Sequence, residues 1–89
     1  MKCECFAQSC KALGDCNRVK ILQFLKGGEK CVCEIYEKLK LSQNLVSHHL
    51  AILRKANLIR AKRSGKWMRY SLNQSEIKKL AKTFNFLTS

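Results

Sequence analysis

The sequence predicts a mainly α-helical domain that carries one small β-hairpin. Apolar residues recur at helical spacing through most of the 89 residues, and a two-residue alternation replaces that spacing between residues 59 and 72. A chain of this length makes one domain with a modest core. We therefore assign residues 1–89 to a single domain, in which residues 1–5 are expected to form a short arm that contains two cysteines.

Four helices are predicted before the hairpin, each with an apolar stripe. The first ends near Gly14, Asp15 caps the second, and Ser42 caps the fourth. The Gly27-Gly28 pair ends the second helix. The predicted stripes are Phe6, Cys10 and Leu13 in the first helix, Val19, Leu22 and Leu25 in the second, Val32, Ile35 and Leu39 in the third, and Leu45 or Val46, His49, Leu50 and Leu53 in the fourth.

A β-hairpin and a last helix follow the fourth helix. Asn57 suits the exit from the fourth helix because Asn tolerates the left-handed conformation that often ends a helix. Ser64-Gly65 separates the two alternating runs, and Ser75 is predicted to cap the last helix. The apolar face of that helix is Ile77, Leu80, Ala81, Phe84 and Leu87. The order α-α-α-α-β-β-α, with a tight turn between two helices before a basic hairpin, is that of a winged helix-turn-helix.

Positive charge is concentrated in the second half of the chain. The formal net charge is +12, and no Asp or Glu lies between Lys38 and Ser75. A charged run commonly forms only a solvated face, but an acid-free run of this length favours a polyanion such as double-stranded DNA. No helix pairs a basic face with an exposed apolar one, and no apolar run approaches the roughly 18 residues that span a bilayer, so no membrane partner is expected.

The fourth predicted helix carries side chains that can recognise DNA bases. The residues that project away from its apolar stripe include Gln43, Asn44, Ser47 and His48. Gln and Asn can bond adenine through two atoms in the major groove, and Ser accepts several bases. The hairpin adds cations that can hold phosphates or enter the minor groove, namely Lys62, Arg63, Lys66 and Arg69. Trp67 is expected to pack at the base of the hairpin.

The chain has six cysteines and begins with charged residues rather than with a secretion signal. We therefore expect a cytoplasmic protein, in which clustered thiols are metal ligands or redox groups rather than disulfide staples. A disulfide-bonded secreted module is the alternative, but the two members of a Cys-x-Cys pair are expected to bridge each other poorly. Cys31 and Cys33 are predicted at a helix N-terminus, where the dipole favours the thiolate that binds soft metals.

Two thiolates are too few for a soft ion, which prefers three or four sulfur ligands. Cys3 and Cys5 in the N-terminal arm are the natural supplement. Cys10 lies on the apolar face of the first helix, so it is either a small core residue or a third ligand. Cys16 is expected to be incidental. A permanently bound structural zinc is the alternative to an exchangeable ion.

Several segments occur in the order and spacing of a known family. They are Ala12-Leu13-Gly14-Asp15, Cys31-Val32-Cys33-Glu34-Ile35, Leu41-Ser42-Gln43-Asn44-Leu45-Val46-Ser47-His48-His49-Leu50, Leu53-Arg54-Lys55-Ala56, Gly65-Lys66-Trp67 and Tyr70-Ser71-Leu72. Over about residues 7–73 the chain resembles the ArsR/SmtB family of metal-sensing winged-helix repressors. The resemblance implies a homodimer that leaves its operator when an ion binds. It also implies that N-terminal cysteines, often from the partner subunit, complete the Cys-x-Cys site, as in the cadmium/lead-sensing branch.

The chain departs from the family pattern at four places. Cys16-Asn17 replaces the usual Pro-Thr, and Asn57 replaces the usual Gly after the recognition helix. Tyr36 stands where the arsenite-sensing branch often has a third Cys. The last helix has no His and only Glu76, so the last-helix site of the zinc and nickel branches is not expected. These features favour cadmium or lead, with zinc weaker, over arsenite or antimonite.

The sequence thus predicts a homodimeric transcriptional repressor that a thiophilic ion releases from operator DNA. The apolar faces of the first and last helices are expected to form the dimer contact. A thiol-redox-sensing repressor and a constitutive DNA-binding protein with structural zinc are the alternatives. The chain has no catalytic pair or phosphate-binding loop, so we expect neither an enzyme nor an organic cofactor.

Overall fold

The computed structural model describes residues 1–88, which form five helices and a three-stranded antiparallel sheet. The helices are α1 (Cys3–Ala12), α2 (Cys16–Leu25), α3 (Val32–Leu39), α4 (Gln43–Lys55) and α5 (Gln74–Leu87). The strands are β1 (Lys30–Cys31), β2 (Ile59–Ser64) and β3 (Trp67–Leu72), in the spatial order β1-β3-β2. Helices α3 and α4 form the helix-turn-helix and strands β2 and β3 form the wing, so the predicted winged helix-turn-helix is confirmed.

Two elements differ from the prediction. The short strand β1 precedes α3 and pairs with β3, so that the order is α-α-β-α-α-β-β-α. Two residues carry too little alternation for such a strand to be seen in the sequence. The predicted N-terminal arm is also wrong, because α1 begins at Cys3 and includes Cys5. Glu4 lies in the first turn of α1, where negative charge favours a helix start.

The core lies where α2, α3, α4 and the sheet meet. Its most completely buried large side chains are Ile21, Ile35, Val46, Leu50, Leu53, Leu58 and Ile59. In α2 the centre of the buried stripe is Ile21, whereas the predicted Val19 and Leu22 are only half-buried. In α4 the inward residue is Val46 rather than Leu45. Of the predicted α5 stripe only Leu80 is buried, and Phe84 and Leu87 remain exposed in the single chain.

The start of α5 is set by a buried asparagine rather than by the predicted Ser75. The side chain of Asn73 accepts a hydrogen bond from the backbone N–H of Glu76 at 3.4 Å. Its Nδ2 also donates to the carbonyl oxygen of Asn57 at 2.9 Å. Asn57 has the predicted left-handed conformation, with φ +64°. One side chain therefore joins the end of the wing to the exit of α4.

The wing ends in a two-residue turn. Ser64 pairs with Trp67 across the two strands, so Gly65 and Lys66 form the turn. Gly65 has φ +61°, which a type II′ hairpin turn requires at its first position. Trp67 lies at this tip and is 55% exposed, so the expectation that it packs at the base of the wing is wrong. Its pairing with Ser64 places Trp67 beside the turn, away from the core.

No helix within residues 1–88 has both the length and the apolar character needed to cross a membrane.

Candidate thiol site and nucleic-acid interface

The two cysteines of the Cys-x-Cys element lie where β1 meets α3. Cys31 ends β1, precedes the first residue of α3 and is 6% exposed, whereas Cys33 is half-buried in the first turn. The structure joins their sulfur atoms in a disulfide, with the two Cα atoms 5.4 Å apart. The two sulfur atoms meet because Cys31 is extended, with ψ 161°, so the divergence of i and i+2 side chains within a helix does not apply.

The other cysteines lie apart from this pair within one chain. Cys3, Cys5 and Cys16 are exposed, and Cys10 is half-buried on α1. In residues 1–88 no three side chains of His, Cys, Asp or Glu are grouped so that they can hold a metal ion. The structure therefore brings together the first two predicted ligands, but a single chain does not bring Cys3, Cys5 or Cys10 to them.

Helix α4 separates its buried and exposed residues as predicted. It faces the core with Val46, His49, Leu50 and Leu53. The predicted base-contacting residues, Gln43, Asn44, Ser47 and His48, are all exposed. The helix begins at a cap in which the backbone N–H of Leu45 donates to Oγ of Ser42 at 3.2 Å. The exposed face thus has the polar chemistry and the rigid support that major-groove recognition requires.

A cleft of about 480 Å³ separates α4 from the wing. Its lining includes Arg54, Lys55 and Tyr70, which the sequence analysis did not assign to DNA. Arg54 and Lys55 occupy the last turn of α4 and belong to the acid-free stretch. The sequence alone does not show that α4 and β3 border one cleft, so it does not place these two cations beside the wing.

The four predicted wing cations fall into two groups. Lys62, Arg63 and Lys66 are exposed. Arg69 is half-buried, and its Nε donates to Oε1 of Glu29 at 2.7 Å. Arg69 is therefore held by a carboxylate on the segment that leads into β1, while the other three cations face solvent.

A buried histidine joins α4 to the start of α2. Nδ1 of His49 lies 3.3 Å from the guanidinium of Arg18, and Nε2 lies 4.0 Å from Oδ1 of Asp15. Burial lowers the pKa of His49, the nearby Asp15 carboxylate raises it, and the charges of Arg18 and His48 lower it, with a net decrease. The neutral ring that results accepts at Nδ1 from Arg18.

The same cluster also affects the carboxyl group of Asp15. Desolvation raises its pKa, but hydrogen bonds from the backbone N–H groups of Arg18 and Asn17 and the charges of His49 and Arg18 outweigh that effect. The pKa of Asp15 therefore lies below its ordinary value. Arg18 also donates through Nε to the carbonyl oxygen of Ala12 at 2.6 Å, so the cluster ties the end of α1 to α2 and α4.

Comparison with known proteins gives a consistent family. The model of the bacterial regulatory protein, arsR family, matches residues 15–61. The uncharacterized HTH-type transcriptional regulator MJ1325 of Methanocaldococcus jannaschii is 40% identical over 82 residues, which cover 91% of this chain and 92% of that protein. The arsenical resistance operon repressor of Bacillus subtilis is 38% identical over 73 residues, which cover 81% of this chain and 70% of that protein. The cadmium resistance transcriptional regulatory protein CadC homolog of Staphylococcus aureus is 38% identical over 71 residues, which cover 79% of this chain and 59% of that protein.

Solved structures show the same fold. An ArsR-like transcriptional regulator from Rhodococcus sp. RHA1 superposes with a TM-score of 0.86 at 25% identity, covering 96% of this chain and 80% of that one. The homodimeric winged helix-turn-helix DNA-binding domain Mb0332 from Mycobacterium bovis superposes with a TM-score of 0.81 at 25% identity, covering 96% and 79%. The relatives are transcriptional regulators rather than enzymes. This chain therefore belongs to the ArsR/SmtB family of winged-helix transcriptional regulators.

Proposed function

We propose that this regulator is a homodimeric repressor that leaves its operator when a thiophilic ion binds Cys31 and Cys33. The observation that carries the proposal is the meeting of these two sulfur atoms at the start of α3, the first helix of the helix-turn-helix, so that only α3 and the turn separate them from α4. Two reduced thiols at one point fit soft ions, with Cd²⁺, Pb²⁺ and Zn²⁺ first and As(III) or Sb(III) second. Relatives named for cadmium and arsenical resistance support this ion class.

For DNA binding we assign separate roles to α4 and the wing. Gln43, Asn44, Ser47 and His48 contact bases in the major groove from the exposed face of α4. Lys62, Arg63 and Lys66 contact phosphates or enter the minor groove from the wing. Arg69 joins them only when its ion pair with Glu29 opens.

A second copy of the chain is proposed to complete both the fold and the thiol site. Helix α5, which packs against α1 through Phe84 and Phe6, leaves Phe84, Phe86 and Leu87 exposed, and a partner helix would cover them. Cys3 and Cys5 are exposed at the start of α1, next to this apolar surface. In the dimer they, or Cys10, are the thiols available to add a third or fourth sulfur to Cys31 and Cys33. The homodimeric structure of the Mycobacterium bovis relative supports this assembly.

Anaerobic titration of the fully reduced protein with CdCl₂ tests the proposal. Ion binding should give thiolate-to-metal charge-transfer absorption and, in parallel, lower the affinity for promoter DNA of the protein's own gene by about tenfold or more, the coupling typical of allosteric proteins. Added chelator should restore DNA binding. A protein that instead unfolds when chelator is added holds structural zinc, and a protein whose DNA affinity ignores cadmium is not a cadmium-responsive repressor.

A thiol-redox-sensing repressor is the second candidate, and the disulfide between Cys31 and Cys33 favours it. The two thiols would reduce a hydroperoxide, losing two electrons and two protons, while the peroxide leaves as an alcohol and water. The two candidates give opposite results in one comparison. Peroxide without metal should release a redox sensor from DNA, whereas cadmium without oxidant should release a metal sensor.

A further inference from the structure

Arg69 of the wing lies next to two glutamates, Glu29 and Glu34, which flank Cys31 and Cys33 in the sequence. Its Nε donates to Oε1 of Glu29 at 2.7 Å, and a terminal nitrogen donates to the carbonyl oxygen of Glu29 at 3.4 Å. The same terminal nitrogen lies 3.8 Å from Oε1 of Glu34. The three side chains are one-third to one-half exposed, so these pairs are weak enough to exchange with other partners.

Glu34 is shared between Arg69 and the first cysteine. Its Oε1 accepts the backbone N–H of Cys31 at 3.1 Å, and this is also the atom that faces Arg69. Glu34 directly follows Cys33 in the first turn of α3. A change in the distance between Cys31 and Cys33 therefore acts on one of the two carboxylates next to Arg69.

The backbone makes a second connection between the same residues. Cys31 on β1 is the antiparallel partner of Arg69 on β3. On its other side Arg69 pairs with Lys62 of β2. The central strand β3 thus pairs with β1, which ends at Cys31, on one side and with β2, the other strand of the wing, on the other side.

We propose that Arg69 is a positioning residue that couples the chemical state of Cys31 and Cys33 to the orientation of the wing. Glu29, two residues before Cys31, and Glu34, directly after Cys33, hold Arg69 and thereby β3 in one position, and movement of these two carboxylates releases it. The released guanidinium then exchanges its carboxylate partners for solvent or a DNA phosphate. The inference deepens the proposed function and rests on it only in taking Cys31 and Cys33 as the sensing thiols.

The wing contains its own reporter. Trp67 is the single tryptophan of the chain, is exposed at the tip, and lies two residues before Arg69 on β3. Residues two apart on a strand share a face of the sheet, so Trp67 is placed to sense movement of Arg69. Its emission can be followed in the full-length protein without DNA.

The test compares the parent with Arg69→Gln, Glu29→Gln and Lys20→Gln. Each reduced protein is titrated with CdCl₂, and a second sample is oxidised with hydrogen peroxide, while peptide mapping by mass spectrometry follows which cysteines react. Lys20→Gln is the matched control, because it removes one positive charge at an exposed position of α2, outside the wing. Glu29→Gln keeps all wing cations and removes only the carboxylate. The parent and Lys20→Gln should change Trp67 emission when the thiols react, and the other two variants should lose that change.

The inference is overturned if Arg69→Gln and Glu29→Gln keep the parental emission change. It is equally overturned if Trp67 of the parent does not respond although peptide mapping shows that Cys31 and Cys33 have reacted. Failure of the proposed function is a different result, in which cadmium binds or the thiols oxidise without any loss of DNA affinity. Circular dichroism of each variant confirms that the helices are retained.

Discussion

The guanidinium of Arg18 lies 3.3 Å from Nδ1 of His49 and so favours the neutral form of this buried ring. His49 is 4% exposed, and burial is the main cause of its lowered pKa. In the unfolded chain His49 is neither buried nor held beside Arg18, so it takes up a proton near the ordinary pKa of 6.5. Protonation therefore favours the unfolded state.

The free energy of unfolding should fall as the pH is lowered through 6.5 and on toward the lower folded pKa of His49. Above 6.5 this contribution is fully present. Urea denaturation between pH 7.5 and 5.5 should show the decrease in the parent and a smaller one in His49→Gln. The Asp15 carboxyl, whose folded pKa is also lowered, loses its contribution only in a more acidic range, below its ordinary 3.8. Asn44→Gln, at an exposed position on the same helix, is the control and should keep the parental slope.

Cys33→Ser should separate sensing from DNA binding. A serine at the first turn of α3 preserves the helix start but replaces a soft ligand by a hard oxygen. We expect parental affinity for DNA in the reduced state and a loss of about tenfold or more in affinity for cadmium. Cys16→Ser, at an exposed thiol that begins α2, should respond like the parent. An unchanged cadmium response in Cys33→Ser would remove Cys33 from the site.

Substitution of Cys3 and Cys5 together by serine tests whether α1 completes the thiol site. The double variant should show weaker charge-transfer absorption with cadmium, because fewer thiolates then surround the ion. Serine substitution is preferable to deletion of residues 1–5, since α1 begins at Cys3 and deletion would remove its first turn. If the absorption band is undiminished, Cys3 and Cys5 are not ligands and Cys10 is the remaining candidate. Cys10→Ser tests that candidate in the same titration.

Arg63→Ala and Gln43→Ala should weaken DNA binding in different ways. Loss of a phosphate contact at Arg63 lowers affinity for all sequences and reduces the slope of log affinity against log salt by about 0.9. Loss of a bidentate base contact at Gln43 costs about 1–3 kcal/mol on the preferred site only. Fluorescence anisotropy on specific and scrambled DNA at several salt concentrations distinguishes the two effects. An equal loss of specificity in both variants would contradict the separate roles of α4 and the wing.

Phe86→Asp should give monomers that fold but bind operator DNA poorly. Phe86 is 79% exposed in the single chain, so a charge there disrupts a partner contact without entering the core. Leu80 is buried within the chain, and Leu80→Asp should instead destabilise the fold by roughly 3–5 kcal/mol through an unpaired buried charge. Sedimentation and thermal unfolding separate these outcomes, with Gln74→Asp at an exposed α5 position as the control. A monomeric Phe86→Asp that binds DNA normally would exclude the dimer as the binding species.

The sequence by itself determined the helices, the wing and the exposed face of α4. Each depends on neighbours within a few positions, because apolar spacing, the Asp15 and Ser42 caps and the glycine turn act locally. The same local pattern predicted that Val46 or Leu45 would face inward, but the choice required the packed core. The family also followed from the sequence, since its motifs are short and retain their spacing.

Only the tertiary structure decided how distant segments meet. Arg69 and Glu29 are 40 residues apart, and neither lies in a periodic pattern that predicts the other as its partner. The pairing of β1 with β3 is equally non-local, as is the hydrogen bond of Asn73 to Asn57 that moved the start of α5 away from Ser75. The strand pairing and the Asn73 hydrogen bond satisfy backbone and buried polar groups with the partners that the fold brings near, whereas Arg69 and Glu29 form a partly exposed ion pair. The spacing of apolar residues along the chain does not identify these distant partners.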